Sequence, residues 1–336
     1  MPATFAHCLM AQHGIDRIPK EIKKEDPQKE KKLEYAKKIG EKNHFVLMGA
    51  AGPDYPYLTD ILTTSIIQIS HTWANRMHYE NTLPFIKGGV EVLASMNKNE
   101  EPFSIRLAWF CGFVSHVVAD SYMHPVVNSI VHGSYIFTHE EHGKCELIQD
   151  IYIFKRLTEE DIVSSNPRAG KLGYLRILEE CSDPADEGKN LVHPEVSTFW
   201  RELLETAHPN ANEHFEDIAP DKWHYNYKGR INFVVDPGAI FRHVVGMTGR
   251  AYIRESEITP EDREKYITEV RLPNGEISNY DAVFNNAVSL ILGIWLQLFE
   301  DIERGTPEGV AKYIRNWNLD TGVDESQIDL WRKKEV

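Results

Sequence analysis

The stretch FCGFVSHVVADSYMHP (residues 110–125) carries ionisable side chains in an otherwise apolar segment. His116, Asp120 and His124 follow one another at intervals of four residues, which places them on one face of a helix. A buried carboxylate without a partner is costly, so Asp120 needs a proton, a cation or a metal ion beside it. This row of side chains therefore predicts a metal site on one face of a core helix.

A second row of ligand-type side chains follows within twenty residues. His142 and Glu146 are four residues apart, and His139 lies three residues before His142. Two adjacent helices could direct both rows into one space. Imidazole and carboxylate ligands without thiolates are typical of zinc in a catalytic setting, where one position stays open for water. A single buried histidine is more often a hydrogen-bonded core residue, but the two rows together favour a metal site.

The elements that must position these rows are predicted to be mainly helical. Apolar periodicity, prolines and capping residues predict helices at residues 59–79, 84–97, 102–124, 138–157 and 279–304. Pro125 is expected to end the third of these helices, Thr138 to cap the fourth and Gly305 to end the fifth. Residues 20–43 are densely charged, and the part after Pro27 is predicted to form a solvated surface helix. A hairpin is predicted at residues 269–278, with Asn-Gly at its turn, so the class is all-α with one small hairpin.

Composition limits the class of protein further. Of the 336 residues, 42% are apolar, which is enough for a sizeable core, and the formal net charge of -14 argues against binding duplex nucleic acid through net charge. The four cysteines lack a CxxC pair and indicate free thiols in a reducing compartment. No signal peptide is recognisable, and the longest apolar run, residues 288–299, is too short for a transmembrane segment. We therefore expect a cytoplasmic protein with a single domain (1–336). Residues 1–157 would form its metal-binding helical core, and residues 158–336 would pack on that core or cover the cleft.

Five segments of the first half carry ligand-type residues, and the last two of them contain the two rows described above. They are FAHCLMA, GPDYPY, MHYENTLPFIKGG, SHVVADSYMH and HGKCELIQD. In order and approximate spacing, over about residues 5–150, they resemble the zinc-dependent phospholipase C family, which shares its fold with fungal single-strand nucleases and 3′-nucleotidases. The resemblance implies a multi-helix phospholipase C/nuclease-like fold with a multinuclear zinc site.

The resemblance also implies which residues hold two or three zinc ions. One ion would be held by Asp54, His78, His116 and Asp120, a second by His124, His142 and Glu146, and a third by His7 together with the shared Asp120. In secreted members of the family the third metal is also chelated by the terminal amine and carbonyl of a Trp, whereas no Trp precedes His7 here. His13 is an alternative to His7, and His71 is an alternative to His78.

Other residues are expected to support the reaction. Asp54 or a neighbouring carboxylate would orient or deprotonate the attacking water, and Tyr55, which follows Asp54, would line the substrate pocket. Asp150, one turn beyond Glu146, would hydrogen-bond a ligating histidine. Arg242 or Arg250 could meet an anionic substrate.

These observations predict a zinc-dependent hydrolase. The first hypothesis is a phosphodiesterase of phospholipase C type that uses a zinc-bound water as nucleophile. Its partner would be a small molecule, an intracellular phosphoester or a specialised metabolite. One alternative is a zinc hydrolase that cleaves an amide or ester bond, and another is a non-catalytic, metal-stabilised binding module.

Overall fold

The computed structural model describes residues 4–60, 73–132, 135–210, 217–235 and 252–331. Most of these residues lie in helices, which confirms the all-α class. The first half contains α1 (Thr4–Glu21), α2 (Lys29–Glu41), α3 (Asn43–Ala50), α4 (Tyr55–Asp60), α5 (Trp73–Tyr79), α6 (Thr82–Ser95), α7 (Glu101–Val131) and α8 (Tyr135–Thr158). The second half contains α9 (Tyr174–Glu180), α10 (Pro194–Ala207), α11 (Pro220–Val235), α12 (Pro260–Arg263) and α13 (Tyr280–Arg304).

Helix α7 lies at the centre of the fold, and α1, α3, α8 and α13 pack around it. Apart from the row of His116, Asp120 and His124, its buried part is mostly apolar, because the helix is buried over most of its length. Against α3 the two backbones approach closely at Gly49 and Gly112, where a Cβ on either residue would overlap a carbonyl oxygen of the opposite helix. This approach brings the carbonyl of Ala50 to His116 of α7.

Helix α7 does not end at Pro125, so that prediction was wrong. The helix continues to Val131 and ends where His132 adopts a left-handed φ of 57°. Proline removes one helical hydrogen bond, but the apolar residues beyond it are buried, and the Asn128 side chain donates to the carbonyl of Asp320 at 2.9 Å. Burial and this contact with the end of the chain stabilise the additional turns.

The remaining helices of the first half follow the sequence prediction in part. The charged stretch forms α2, whose Ala36 and Ile39 are buried. Of the helix predicted at 59–79, α4 and α5 cover the two ends, and residues 61–72 lie outside the described part of the chain. Helix α8 begins at Tyr135, before Thr138, and Thr138 has a non-helical φ of -127° inside it. Thr138 therefore marks a kink, and the helix predicted at 138–157 runs from this kink to Thr158.

The second half packs directly against the first. Strands β1 (Val270–Arg271) and β2 (Ile277–Ser278) pair antiparallel and confirm the predicted hairpin. Helix α13 lies between α1 and α7 and ends at Gly305, whose φ is 72°. Trp295 fixes its position, because its ring fills the space beside Gly14 and its Nε1 donates to the Cys111 carbonyl at 2.8 Å.

Two helices are long and apolar enough to cross a membrane by length and composition, α7 and α13. The apolar run at residues 288–299 lies within α13, which closely matches the helix predicted at 279–304. In the folded chain 83% of the most apolar window of α7 and 56% of that of α13 is buried inside the protein. Both helices thus serve as core helices in this structure. All four cysteines are buried and free, as predicted.

Candidate metal centre

Eight predicted ligand side chains from five elements converge in the interior. His7 comes from the first turns of α1, Asp54 from a single 3₁₀ turn (Gly52–Asp54) after α3, and His78 from α5. Helix α7 supplies His116, Asp120 and His124, and α8 supplies His142 and Glu146. All are buried except His124, whose side chain is 14% exposed. The spacing of four residues on α7 and on α8 accounts for five of the eight positions.

Three groups of potential metal ligands lie within this cluster. In each group the ligand atoms are within 4.8 Å of one another. The groups are Asp54, His78 and His116; His7, His116 and Asp120; and His124, His142 and Glu146. The group of His124, His142 and Glu146 has the same members as one implied set, whereas in the other two groups His116 is shared and Asp120 lies with His7.

Asp120 lies between these groups and contacts them with both carboxylate oxygens. Its Oδ2 is 3.1 Å from Nε2 of His116, and its Oδ1 is 3.0 Å from Nε2 of His7. The same Oδ1 lies 4.0 Å from Nε2 of His124. In the first group, Nε2 of His78 lies 3.4 Å from Nε2 of His116. A carboxylate in this position can bridge two cations.

The third group combines two histidines with the carboxylate of Glu146. Nε2 of His124 and Nε2 of His142 each lie 3.2 Å from Oε1 of Glu146. The other carboxylate oxygen of Glu146 is buried and makes no hydrogen bond within the described residues. Two imidazole nitrogens and a partly bare carboxylate form a cation site with room for a further ligand.

Backbone carbonyls fix the orientation of three of the histidine rings. Nδ1 of His78 donates to the Ala74 carbonyl at 2.7 Å, and Nδ1 of His116 donates to the Ala50 carbonyl at 2.8 Å. Nδ1 of His124 donates to the carbonyl of Leu319 at 2.6 Å. Because a carbonyl only accepts, Nδ1 carries a proton, and Nε2 is the ring nitrogen that can bind a cation.

The charges of the cluster fit a metal ion. Burial raises the pKa of each carboxyl group, but the neighbouring histidines outweigh it, so the pKa values of Asp54, Asp120 and Glu146 all lie below the ordinary range. Burial alone would lower the pKa of the histidines, but the carboxylates raise the pKa of His116 to about 9 and that of His124 to about 10. Among the described residues no lysine or arginine pairs with these carboxylates. Divalent cations would replace the protons that the histidines otherwise hold.

Comparison with known families supports the same conclusion. The model of the family described as zinc-dependent phospholipase C matches residues 6–207. The chain belongs to this family. The match contains all eight cluster residues and extends to the end of α10, beyond the residue 150 expected from the motifs. Comparison with curated proteins finds no significant match, and neither does comparison with solved structures.

Tyr55 does not take the position expected for it. Its side chain is fully buried, stacks on Tyr227 at 4.4 Å between ring centroids and meets the edge of Trp200. The aromatic ring beside the cluster belongs to Tyr57, 5.1 Å from the ring of His78. The sequence placed the wrong tyrosine of GPDYPY at the site because a helix begins at Tyr55 and turns its side chain into the core.

Asp150 also has a different partner from the one expected. Its Oδ1 accepts the backbone N–H of Ala6 at 2.7 Å, and its Oδ2 accepts the hydroxyl of Tyr252 at 3.1 Å. Ala6 directly precedes His7, so Asp150 holds the first turn of α1 beside the cluster through the backbone and does not contact a ligating histidine. Burial raises the pKa of Asp150 to about 7.

The structure decides between some of the alternative ligands. His13 lies two turns beyond His7, is partly buried and packs against the edge of Phe284, so it stays outside the cluster. His139 is exposed and also stays outside it. His71, Arg242 and Arg250 lie outside the described residues. Sequence reasoning missed the carbonyls of Ala50, Ala74 and Leu319, because a backbone group carries no signal of its own in a sequence.

Proposed function

We propose that this protein is a zinc-dependent phosphodiesterase of the phospholipase C type. The observation that carries the proposal is the position of Asp120, whose two oxygens lie between two groups of buried histidines. Closely spaced cations are suited to phosphodiesters, because the non-bridging oxygens can lie between them. Membership of the family supports zinc as the metal and hydrolysis as the reaction.

The residues of the cluster can each serve this reaction. When bound, zinc would supply hydroxide at neutral pH and polarise the phosphoryl group. Asp54 is ionised, because His116 and His78 lower its pKa more than burial raises it. It can therefore orient the attacking water and accept its proton while the phosphorus–oxygen bond to the leaving group breaks.

The substrate would approach from the side of His124. The side chain of His124 is 14% exposed, whereas those of the other seven ligands are 7% or less. The ring of Tyr57 contacts the ring of the ligand His78. The hydroxyl of Tyr57 donates to the side-chain oxygen of Asn75 at 2.9 Å. These groups would border the phosphoester.

We further propose that the substrate is an intracellular phosphoester or a specialised metabolite. The free state of all four cysteines supports a reducing compartment. The formal charge of -14 supports a small molecule rather than a nucleic-acid duplex.

The test combines metal content with activity. Purified protein should contain zinc and hydrolyse bis-p-nitrophenyl phosphate or p-nitrophenyl phosphorylcholine, and a chelator should abolish hydrolysis until zinc is restored. His142→Ala should lose both zinc and activity. His139→Ala, an exposed histidine three residues earlier on the same helix, is the matched control and should retain both.

The other outcomes identify the alternatives. Zinc-dependent cleavage of an amide or carboxylic ester, without turnover of any phosphodiester, would replace this proposal by a hydrolase for a different bond. Stoichiometric zinc without any hydrolysis would favour a metal-stabilised binding module.

A further inference from the structure

The last described segment of the chain, residues 316–331, lies against the metal centre although it is more than one hundred residues beyond the family match. We call it the C-terminal segment. Within it Leu319 is fully buried and contacts two ligand-bearing elements at once. Its N–H donates to the carbonyl of His78 at 2.8 Å, and its carbonyl accepts Nδ1 of His124 at 2.6 Å.

These two histidines belong to different groups of the cluster. His78 lies with Asp54 and His116, whereas His124 lies with His142 and Glu146. One residue of the C-terminal segment therefore connects α5 with α7. It also connects two separate groups of ligands, because each of these helices carries a ligand of a different group. From this geometry we infer that Leu319 is a positioning residue of the metal centre, and that the C-terminal segment sets the zinc affinity of the protein.

The conformation of the segment around Leu319 is fixed by its own contacts. The side-chain oxygen of Asn318 accepts the N–H groups of Asp320 and Thr321 at 3.1 and 3.2 Å. Gly322 then turns the chain with a φ of 67°, and its N–H returns to the Asn318 carbonyl at 2.8 Å. This compact turn holds the carbonyl of Leu319 towards His124.

The segment is also attached to α7, both within this turn and beyond it. Asn128 donates to the carbonyl of Asp320 at 2.9 Å. Trp331 stacks on Tyr122 at 4.5 Å between ring centroids, and its Nε1 donates to the Tyr122 carbonyl at 2.9 Å. The carboxylate of Asp320 accepts the hydroxyl of Tyr79, the neighbour of His78, at 2.7 Å. Each attachment holds the segment on a helix that carries ligands.

The closing experiment loosens the turn without changing a ligand. At Gly322 a Cβ would lie 2.5 Å from Cγ of Pro125 and from the Ser121 carbonyl oxygen, so Gly322→Ala should lift the segment from α7. Gly275→Ala is the matched control, because Gly275 also has a positive φ, 85°, but has no atom within 4 Å of the added Cβ. Loss of a partner behind a metal ligand typically weakens metal binding by about 10- to 100-fold.

Zinc affinity, measured by competition with a chromogenic chelator, is the readout. Gly322→Ala should bind zinc at least about 10-fold more weakly than the wild type, and Gly275→Ala should bind it as the wild type does. Asn318→Ala removes the side-chain hydrogen bonds of the turn and should also weaken zinc binding. It replaces Gly322→Ala as the test variant if Gly322→Ala does not fold. Unchanged affinity in a folded variant would overturn the inference.

A second readout uses the unaltered protein. If the segment positions zinc ligands, zinc must stabilise the segment by linkage. Amide hydrogen exchange at residues 317–320 should therefore slow when zinc is added, and equal exchange in both states would contradict the inference. Both readouts rest on the proposed metal centre but not on the reaction: zinc bound without phosphodiester turnover would refute the proposed function and leave this inference standing.

Discussion

Replacing Asp150 by asparagine should remove a large pH dependence from the stability of this protein. Asp150 is fully buried, and burial raises its pKa from the ordinary 3.8 to about 7, although its bonds from Ala6 and Tyr252 act in the opposite direction. The folded protein thus holds a proton that the unfolded chain releases. The resulting stabilisation is fully present below about pH 4 and is lost as the pH rises through about 7.

The size of the effect follows from the two pKa values. A difference of one pH unit corresponds to about 1.4 kcal/mol, so the interval from 3.8 to about 7 corresponds to about 4 kcal/mol over the whole range. Between pH 5 and pH 8, where the measurement is practical, Asp150 should account for a loss of about 3 kcal/mol. Asparagine has nearly the same shape and can still accept the N–H of Ala6, so the variant should fold.

The assay is urea unfolding of wild type and Asp150→Asn in parallel across this pH range. The difference between the two curves removes the contribution of the histidines, which both proteins share. The wild type should lose stability relative to the variant as the pH rises. Tyr252→Phe should move this loss to higher pH, because the tyrosine hydroxyl lowers the pKa of Asp150. Parallel curves for wild type and Asp150→Asn would refute the reasoning about burial.

Three further predictions concern the metal centre and the helices that form it. Asp120→Asn should lower the zinc content by at least one ion per chain, because its charge serves two groups of ligands; elemental analysis showing the wild-type stoichiometry would contradict the bridging position. His116→Ala should reduce zinc content and phosphodiesterase activity together, and full zinc occupancy would argue against its assignment as a ligand. Gly112→Ala should destabilise the protein by about 1–3 kcal/mol in denaturant unfolding, because its Cβ overlaps the carbonyl of Val46; unchanged stability would mean that α3 and α7 can separate at little cost.

The sequence predicted the ligand rows well because they depend on local geometry. Residues four apart on a helix must share a face, so His116, Asp120 and His124 necessarily lie in one row once the helix forms. Pro125 was misjudged for the opposite reason. Its local effect is to end a helix, but burial of the following turns, together with the contact between Asn128 and Asp320, outweighs the lost hydrogen bond.

The contacts that orient the ligands could not be predicted, because they join residues that are far apart in the sequence. Leu319 meets His124 across 195 residues of sequence, and through a backbone carbonyl that any residue type could supply. Tyr55 and Tyr57 are two residues apart, and only the direction in which α4 begins decides which of them reaches the cluster. Asp150 lies one turn from Glu146, yet it contacts the backbone of α1 because α8 packs against α1 at that turn.

An anomalous difference map, collected at the zinc absorption edge from crystals of the zinc-loaded protein, tests the central claim most directly. We predict one peak among Asp54, His78, His116 and Asp120, and another among His124, His142 and Glu146. A third peak between His7 and Asp120 would show that His7 is also a zinc ligand. Zinc peaks elsewhere, or no peak at these residues in protein that contains zinc, would contradict their assignment as zinc ligands.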